Sequence, residues 1–210
     1  MPSPNSRRPA AAGERFGPEY YRRYYGDPAS RVVDRASVRS LATFVAGYLR
    51  YLHVPVRTIL DVGCGVGHWR AAADTLWPAA RYHGVELSEH LCTEHGWVRG
   101  SVVDLEPASV LGRATFDLVV CQGVLQYLDD RDASKALANL ARWTNGALYL
   151  EALTQRDWRH NCDRTRTDGD VHLRSGDWYR RRLGRHFLAG GGGVFVSKRA
   201  GVTLYELEGS

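Results

Sequence analysis

Thr58-Ile59-Leu60-Asp61-Val62-Gly63-Cys64-Gly65-Val66-Gly67-His68-Trp69 decides the fold of this 210-residue chain. Thr58–Val62 is a short apolar run with β-branched residues, the pattern of a buried strand. Three glycines at alternate positions follow, and residues 68–77 read as a helix. Glycines there let the backbone turn sharply and let a ligand approach it closely. Open α/β sheets bind ligands in the crevice at the strand carboxyl ends. The spacing then separates ligand classes. Dinucleotide folds use G-x-G-x-x-G, with the third glycine inside the helix. Here the glycines are Gly63, Gly65 and Gly67, and the next helical position is His68. Asp61 precedes them; a carboxylate there is unhelpful to a pyrophosphate and suits a cationic ammonium. No G-K-[ST] follows, which excludes a phosphate-cradling P-loop.

Working outward, residues 82–86, 97–100, 116–121 and 147–151 read as further strands. Helical patterns over 88–95 and 132–143 alternate with them. That alternation implies a parallel sheet covered on both faces. Near the end, 175–187 reads as a helix capped by Ser175, with Tyr179, Leu183 and Phe187 on one face. Residues 193–197 and 202–207 lie too close for a crossover helix, so they are expected to pair as an antiparallel hairpin, with Gly190–Gly193 as a loop. Before the first strand, residues 18–26 read as a short helix ending near Gly26-Asp27-Pro28. It aligns Tyr20 with Tyr24 and Tyr21 with Tyr25. Residues 36–52 carry a single apolar stripe through Val38, Leu41, Val45, Tyr48, Leu49 and Leu52. The expected architecture is a three-layer αβα sandwich, a seven-stranded mostly parallel sheet with an antiparallel C-terminal hairpin. The expected division is a flexible tail over 1–15, a helical cap over 16–56 and the main domain over 57–210.

Composition supports a globular chain: 44% of residues are hydrophobic and 24% charged. The net charge of +5 is uneven. Residues 1–56 carry +5, residues 57–150 carry −3 and residues 151–210 carry +3. Of the 28 basic residues 26 are arginine, a bias that genome composition can produce and that gives no nucleic-acid signal. A basic rim still favours an acidic partner. The four cysteines, Cys64, Cys92, Cys121 and Cys162, form no C-x-x-C pair and are expected as free thiols. The apolar stretches are too short to span a membrane, and the first residues lack a secretory signal. The expectation is a cytoplasmic protein with no membrane partner.

The segment Asp61–Gly67 resembles the first motif of class I S-adenosylmethionine-dependent methyltransferases, and the likeness extends over about residues 57–208. Glu86 ends the second strand, as that family's ribose-binding acid does; a carboxylate there can accept both sugar hydroxyls. Val103-Asp104-Leu105 follows the third strand, where the family's aspartate meets the adenine amino group. Phe116–Leu128, through Cys121-Gln122-Gly123-Val124, resembles the fourth motif of the small-molecule branch. It lacks the Asn-Pro-Pro-Tyr or Asp-Pro-Pro-Tyr of amino-methylating DNA enzymes. The resemblance implies S-adenosyl-L-methionine (SAM) as cofactor, with S-adenosyl-L-homocysteine (SAH) as product. The cofactor-binding residues it implies are Asp61, Gly63, Cys64, Gly65, Glu86, Leu87, Asp104, Leu105, Cys121 and Gln122, with Tyr20 and Tyr25 closing over them. Asp117 precedes its strand's apolar run and reads as structural.

The implied reaction is methyl transfer to an O or N nucleophile of a small molecule. An already activated methyl leaves the protein mainly to orient the partners. Residues 152–174 are expected as a substrate-side insertion. Within the acceptor wall, Tyr21, Gln126, Tyr127, Trp158, Arg164, Arg166 and Arg174 are the candidates. The arginines would clamp an acidic group, and His160 or His172 would remove a proton. Asp129, Asp130 and Asp132 begin a helix, where carboxylates favour the macrodipole, so no metal is expected. No nucleic-acid partner is expected, and the chain is a monomer or homodimer on this reading. The competing readings are an RNA or protein methyltransferase, motivated by the basic flanks, and a catalytically silent SAM-binding accessory subunit.

Overall fold

The structure is a computed structural model that describes residues 15–26 and 33–208. The expected tail therefore lies outside the described residues except for Arg15, and so does the Asp27–Pro28 helix stop. Pro18–Tyr21 forms α1, a single turn with Pro18 at its start. The chain then continues as a π-helical turn over Arg22–Gly26, where a continuous α-helix was expected. The wider π ladder still keeps both tyrosine pairs in contact, with their rings tilted. Tyr20 and Tyr24 have ring centroids 4.8 Å apart, and Tyr21 and Tyr25 5.5 Å. Helix α2, Arg35–Tyr51, is capped by Asp34, which accepts from the Ser37 amide at 2.8 Å.

The main layer order follows from alternation. Strands β1 (Thr58–Val62), β2 (Arg81–Glu86), β3 (Val98–Arg99), β4 (Phe116–Gln122) and β5 (Thr144–Glu151) are parallel. Between them run α3 (His68–Leu76), α4 (Glu89–His95), α5 (Pro107–Val110) and α6 (Asp130–Trp143). After β5 come α7 (Gln155–His160), α8 (Gly176–Leu183), β6 (Phe187–Gly191) and β7 (Val194–Ser197). The sheet order is β3-β2-β1-β4-β5-β7-β6, with β7 antiparallel to both neighbours. Successive side chains of a strand point to opposite faces. Ile59, Leu118, Val120, Ala147 and Tyr149 accordingly join one core with Val45 and Leu49 of α2 and Trp69 of α3. Leu60, Val119, Cys121, Leu148 and Leu150 join the other, with Leu137 and Leu140 of α6 and Leu183 of α8. The three layers and the seven-stranded sheet are as the alternation implied.

The hairpin is where expectation and structure part. It pairs 187–191 with 194–197, and residues 202–207 form no strand. The glycine run causes the shift. Gly191, Gly192 and Gly193 all have positive φ, which lets the chain reverse within two residues. The last helix accordingly ends at Leu183, and Phe187 enters the sheet rather than the helix face. Asp117 is structural, as expected: its carboxylate accepts from the Arg57 amide and from Thr58 Oγ1, both at 2.9 Å.

Candidate functional site

The carboxyl ends of four parallel strands converge on two adjoining cavities. The smaller, of about 120 Å³, is lined by Glu86, Leu87, Ser101, Val102, Val124 and Leu128. The larger, of about 440 Å³, is lined by Asp61, Cys64, Trp69, Gln126 and Glu151, and by Leu153, Asp157 and Asp168 of the following segment. Gly63, Gly65, Gln122, Gly123, Tyr20, Tyr25 and Tyr127 line both.

The glycine loop sets the join. Gly63 has φ +73°, and a Cβ there would stand 2.4 Å from Val124 Cγ2. Only glycine can make this turn under the β4 loop. The Gly63 amide donates to the Val85 carbonyl at 2.8 Å, tying the loop to β2. Glu86 is buried at the end of β2. Its Oε2 accepts from the Gly65 amide at 2.9 Å. Its Oε1 accepts from the amides of Leu87 at 2.8 Å and Ser88 at 3.0 Å, and from the Tyr21 hydroxyl at 3.2 Å. The backbone thus fixes the carboxylate, and a tyrosine hydroxyl from the N-terminal turn rests on it.

Asp61 is buried beside the loop and accepts from the Tyr82 hydroxyl. Burial pushes its carboxyl up to about 7, with Glu86 adding to the rise and the Tyr82 hydrogen bond opposing it. Burial, with Asp61 and Glu86 nearby, also pushes the Cys64 thiol well up, so it is no nucleophile. Along the floor of the larger cavity, Trp69 Nε1 donates to Gln122 Oε1 at 2.8 Å and Gln122 Nε2 donates to Glu151 Oε2 at 3.1 Å. Tyr149 donates to the same oxygen at 2.8 Å. The Tyr20 and Tyr127 hydroxyls share a 2.7 Å hydrogen bond across the top.

Asp61, Gly63, Cys64, Gly65, Glu86, Leu87, Gln122, Tyr20 and Tyr25 are therefore brought together, as are Gln126 and Tyr127. Tyr21, expected toward the acceptor, instead lines the smaller cavity on Glu86. Three other expected cofactor residues lie elsewhere. Asp104 is exposed and pairs with Lys135 Nζ at 2.8 Å; Ser101 and Val102 reach the cavity in its place. The turn after β3 bends back early, with the Leu105 amide on the Ser101 carbonyl at 2.8 Å, which carries Asp104 outward. Leu105 and Cys121 are buried in the core below.

The expected acceptor wall is corrected further. Arg174 is buried and spans the base of the loop after β4. Its Nε donates to Asp130 at 2.7 Å, and its other nitrogens donate to the carbonyls of Leu125 at 3.0 Å and of Leu128. It is a strut, not a clamp. Arg164 stacks on Trp158, 5.3 Å from the ring centroid, and donates to its carbonyl. Neither of these two residues lines a cavity, nor does Arg166. His160 and His172 are exposed and outside both cavities, so neither stands where a base is needed. Glu151 was missed. Its signal was an acid at the carboxyl end of a central parallel strand, in register with Gln122.

Residues 60–146 match a family model described as a methyltransferase domain. The fold is similar to that of magnesium protoporphyrin IX methyltransferase from Synechocystis PCC 6803 with bound SAH. There the identity is 19% and the TM-score 0.54, covering 80% of this chain and 82% of that one. DesVI from Streptomyces venezuelae gives 17% identity and a TM-score of 0.53, covering 76% and 90%. An O-methyltransferase family protein from Burkholderia thailandensis gives 16% and 0.53, with 78% of this chain covered. Against that protein this chain spans 57% of the length. No curated protein sequence matches. The fold is that of these methyltransferases. The matched segment of the chain runs from β1 into β5 and so contains the glycine loop, Glu86 and Gln122. Among its described residues no group of three His, Cys, Asp or Glu is placed to hold a metal, and no helix is long and apolar enough to cross a membrane.

Proposed function

We propose that this chain is a SAM-dependent methyltransferase acting on an O or N nucleophile of a small-molecule acceptor, with the smaller cavity taking the nucleoside end of SAM, the Asp61 end of the larger its amino-acid end, and the rest of the larger the acceptor. One observation carries the reading: two cavities of unequal size meet at Gly63, Gly65, Gln122 and Gly123. The residues suit the cofactor. Glu86 would hold the ribose diol, since its carboxylate is already aimed by three backbone amides. Leu87, Val102 and Leu128 would pack against the adenine. Asp61 would receive the ammonium, because a cation nearby favours the charged carboxylate that burial disfavours. SAM supplies an activated methyl. The chain orients and encloses, and such positioning can supply roughly 7–11 kcal/mol.

Ala152, Leu153, Asp157, Asn161, Cys162, Thr167 and Asp168 line the larger cavity, which supports residues 152–174 as its substrate-side wall. Of the helical cap expected over 16–56, the tyrosine segment supports that role, because Tyr20 and Tyr25 line both cavities. Calorimetry with SAH, followed by incubation of host extract with methyl-labelled SAM, tests the reading. The expected result is SAH binding and label in the small-molecule fraction. Label in RNA or protein would replace the acceptor, and SAH binding with no label in any fraction would favour an accessory subunit.

A further inference from the structure

The larger cavity has a chemical sign. Asp61, Glu151, Asp157 and Asp168 line it, and among the described residues no lysine or arginine does. Three of these acids have partners. Asp61 accepts from Tyr82, Asp157 caps α7 through Thr154, and Asp168 pairs with Arg15 at 2.9 Å. Glu151 differs. Both of its bonds converge on Oε2, so Oε1 takes none from the described residues. A second atom points the same way. Gln126 is 8% exposed, and its Oε1 is buried without a hydrogen-bond partner. A buried acceptor left without a donor costs free energy until a donor arrives. The site therefore offers two hydrogen-bond acceptors, one of them anionic, and asks for a ligand rich in N–H. Its walls include Tyr24, Trp69 and Tyr127. Aromatic faces attract cations, and the Tyr127 ring already carries the Arg15 guanidinium 4.8 Å from its centroid.

We propose that the acceptor bears a basic amine, held by Glu151 and Gln126 against these aromatic walls, and that its nitrogen is the atom methylated. The proposal rests on the cavity assignment above and narrows its nucleophile. It also reverses the acidic acceptor that the arginines of 152–174 suggested. An arriving ammonium gives one proton to the Glu151 carboxylate, which passes it to water. The nitrogen lone pair then forms the N–C bond, and the C–S bond of the sulfonium donor breaks with its electron pair left on sulfur. The positive charge moves from sulfur to nitrogen, so the reaction balances. An anionic acceptor would instead face Glu151 with no described cation beside it, a like-charge contact that opposes binding.

Three matched probes test this on the SAH-loaded full chain by calorimetry: phenethylamine, 2-phenylethanol and 3-phenylpropanoate. The amine is expected to bind about tenfold more tightly than the alcohol, with the carboxylate weakest. Glu151→Gln and, separately, Gln126→Leu are each expected to weaken the amine about five- to tenfold while SAH affinity stays within about twofold. Preference for the carboxylate, or no preference for the amine (including no binding of any probe), would overturn the proposal. Absence of SAH binding would instead overturn the cofactor reading and the proposal with it.

Discussion

The two cavities are made in different ways. The smaller is built largely by backbone: the glycine loop after β1 and the turn after β2 place the amides of Gly65, Leu87 and Ser88 on one carboxylate, Glu86, and the turn after β3 adds Ser101 and Val102. The larger is built by side chains brought from distant segments: Trp69, Gln122, Gln126, Glu151 and Asp168. Local backbone constraints leave a signature in sequence, because only glycine fits them. Long-range side-chain convergence leaves almost none.

The sharpest way to break the first region is to deny it its turn. Gly63→Val sets a side chain 2.4 Å from Val124 at φ +73°. It should cost about 3 kcal/mol of stability and abolish SAH binding, read by thermal melting and calorimetry. A variant that melts and binds normally would mean that the loop does not set the join.

Arg174→Ala tests the other region, whose arginine is structural. Removing it takes a buried charged donor from the Leu125 and Leu128 carbonyls, so stability should fall by about 2–3 kcal/mol. A normal melting temperature with weaker acceptor binding would restore the clamp.

Tyr21→Phe sharpens the comparison at the lid. It removes the hydroxyl resting on Glu86, so SAH affinity should rise about threefold to tenfold by calorimetry. A fall would make that hydroxyl a ligand contact instead.

Asp61 adds a pH dependence. Its folded-state carboxyl sits near 7, above its ordinary value, so its contribution to stability is full below about 4 and is lost as pH rises through about 7. SAH binding draws on the charged form. At pH 6 it should therefore release a proton, seen as a dependence of the binding heat on buffer ionisation enthalpy, and Asp61→Asn should remove that dependence. The smallest effect is expected at Asp104→Ala. This side chain is 74% exposed in an ion pair with Lys135, so stability should change by no more than about 1 kcal/mol and SAH affinity not at all.

How much was legible follows the same division. The alternation of Thr58–Val62, Tyr82–Glu86 and Phe116–Cys121 with helical stripes is a local pattern, and it carried the three layers and the sheet. Gly63, Gly65 and Glu86 were expected at one place because turn geometry and strand ends restrict residue type, and the structure brings them together. The hairpin partner was misplaced, since Gly190–Gly193 reads equally as a loop and as a tight reversal; three positive-φ glycines settle it. Asp104 was expected at the cavity and lies outside it, because its direction depends on where the turn after β3 bends, not on its neighbours in sequence. Arg164, Arg166 and Arg174 looked like a clamp because polarity alone cannot tell a cavity wall from a strut or an outer surface. Glu151 reads in sequence as the end of a strand, and its place at the cavity appears only when the register of β4 and β5 sets it beside Gln122.

The most direct test of the central claim is a crystal structure of the chain with SAH. The account predicts the ribose hydroxyls on Glu86 in place of the Tyr21 hydroxyl, the sulfur at Gly63–Gly65, and the larger cavity left open beside Glu151 and Gln126. The adenosine end of SAH lying in the larger cavity, with Glu86 still held by Tyr21, would contradict it.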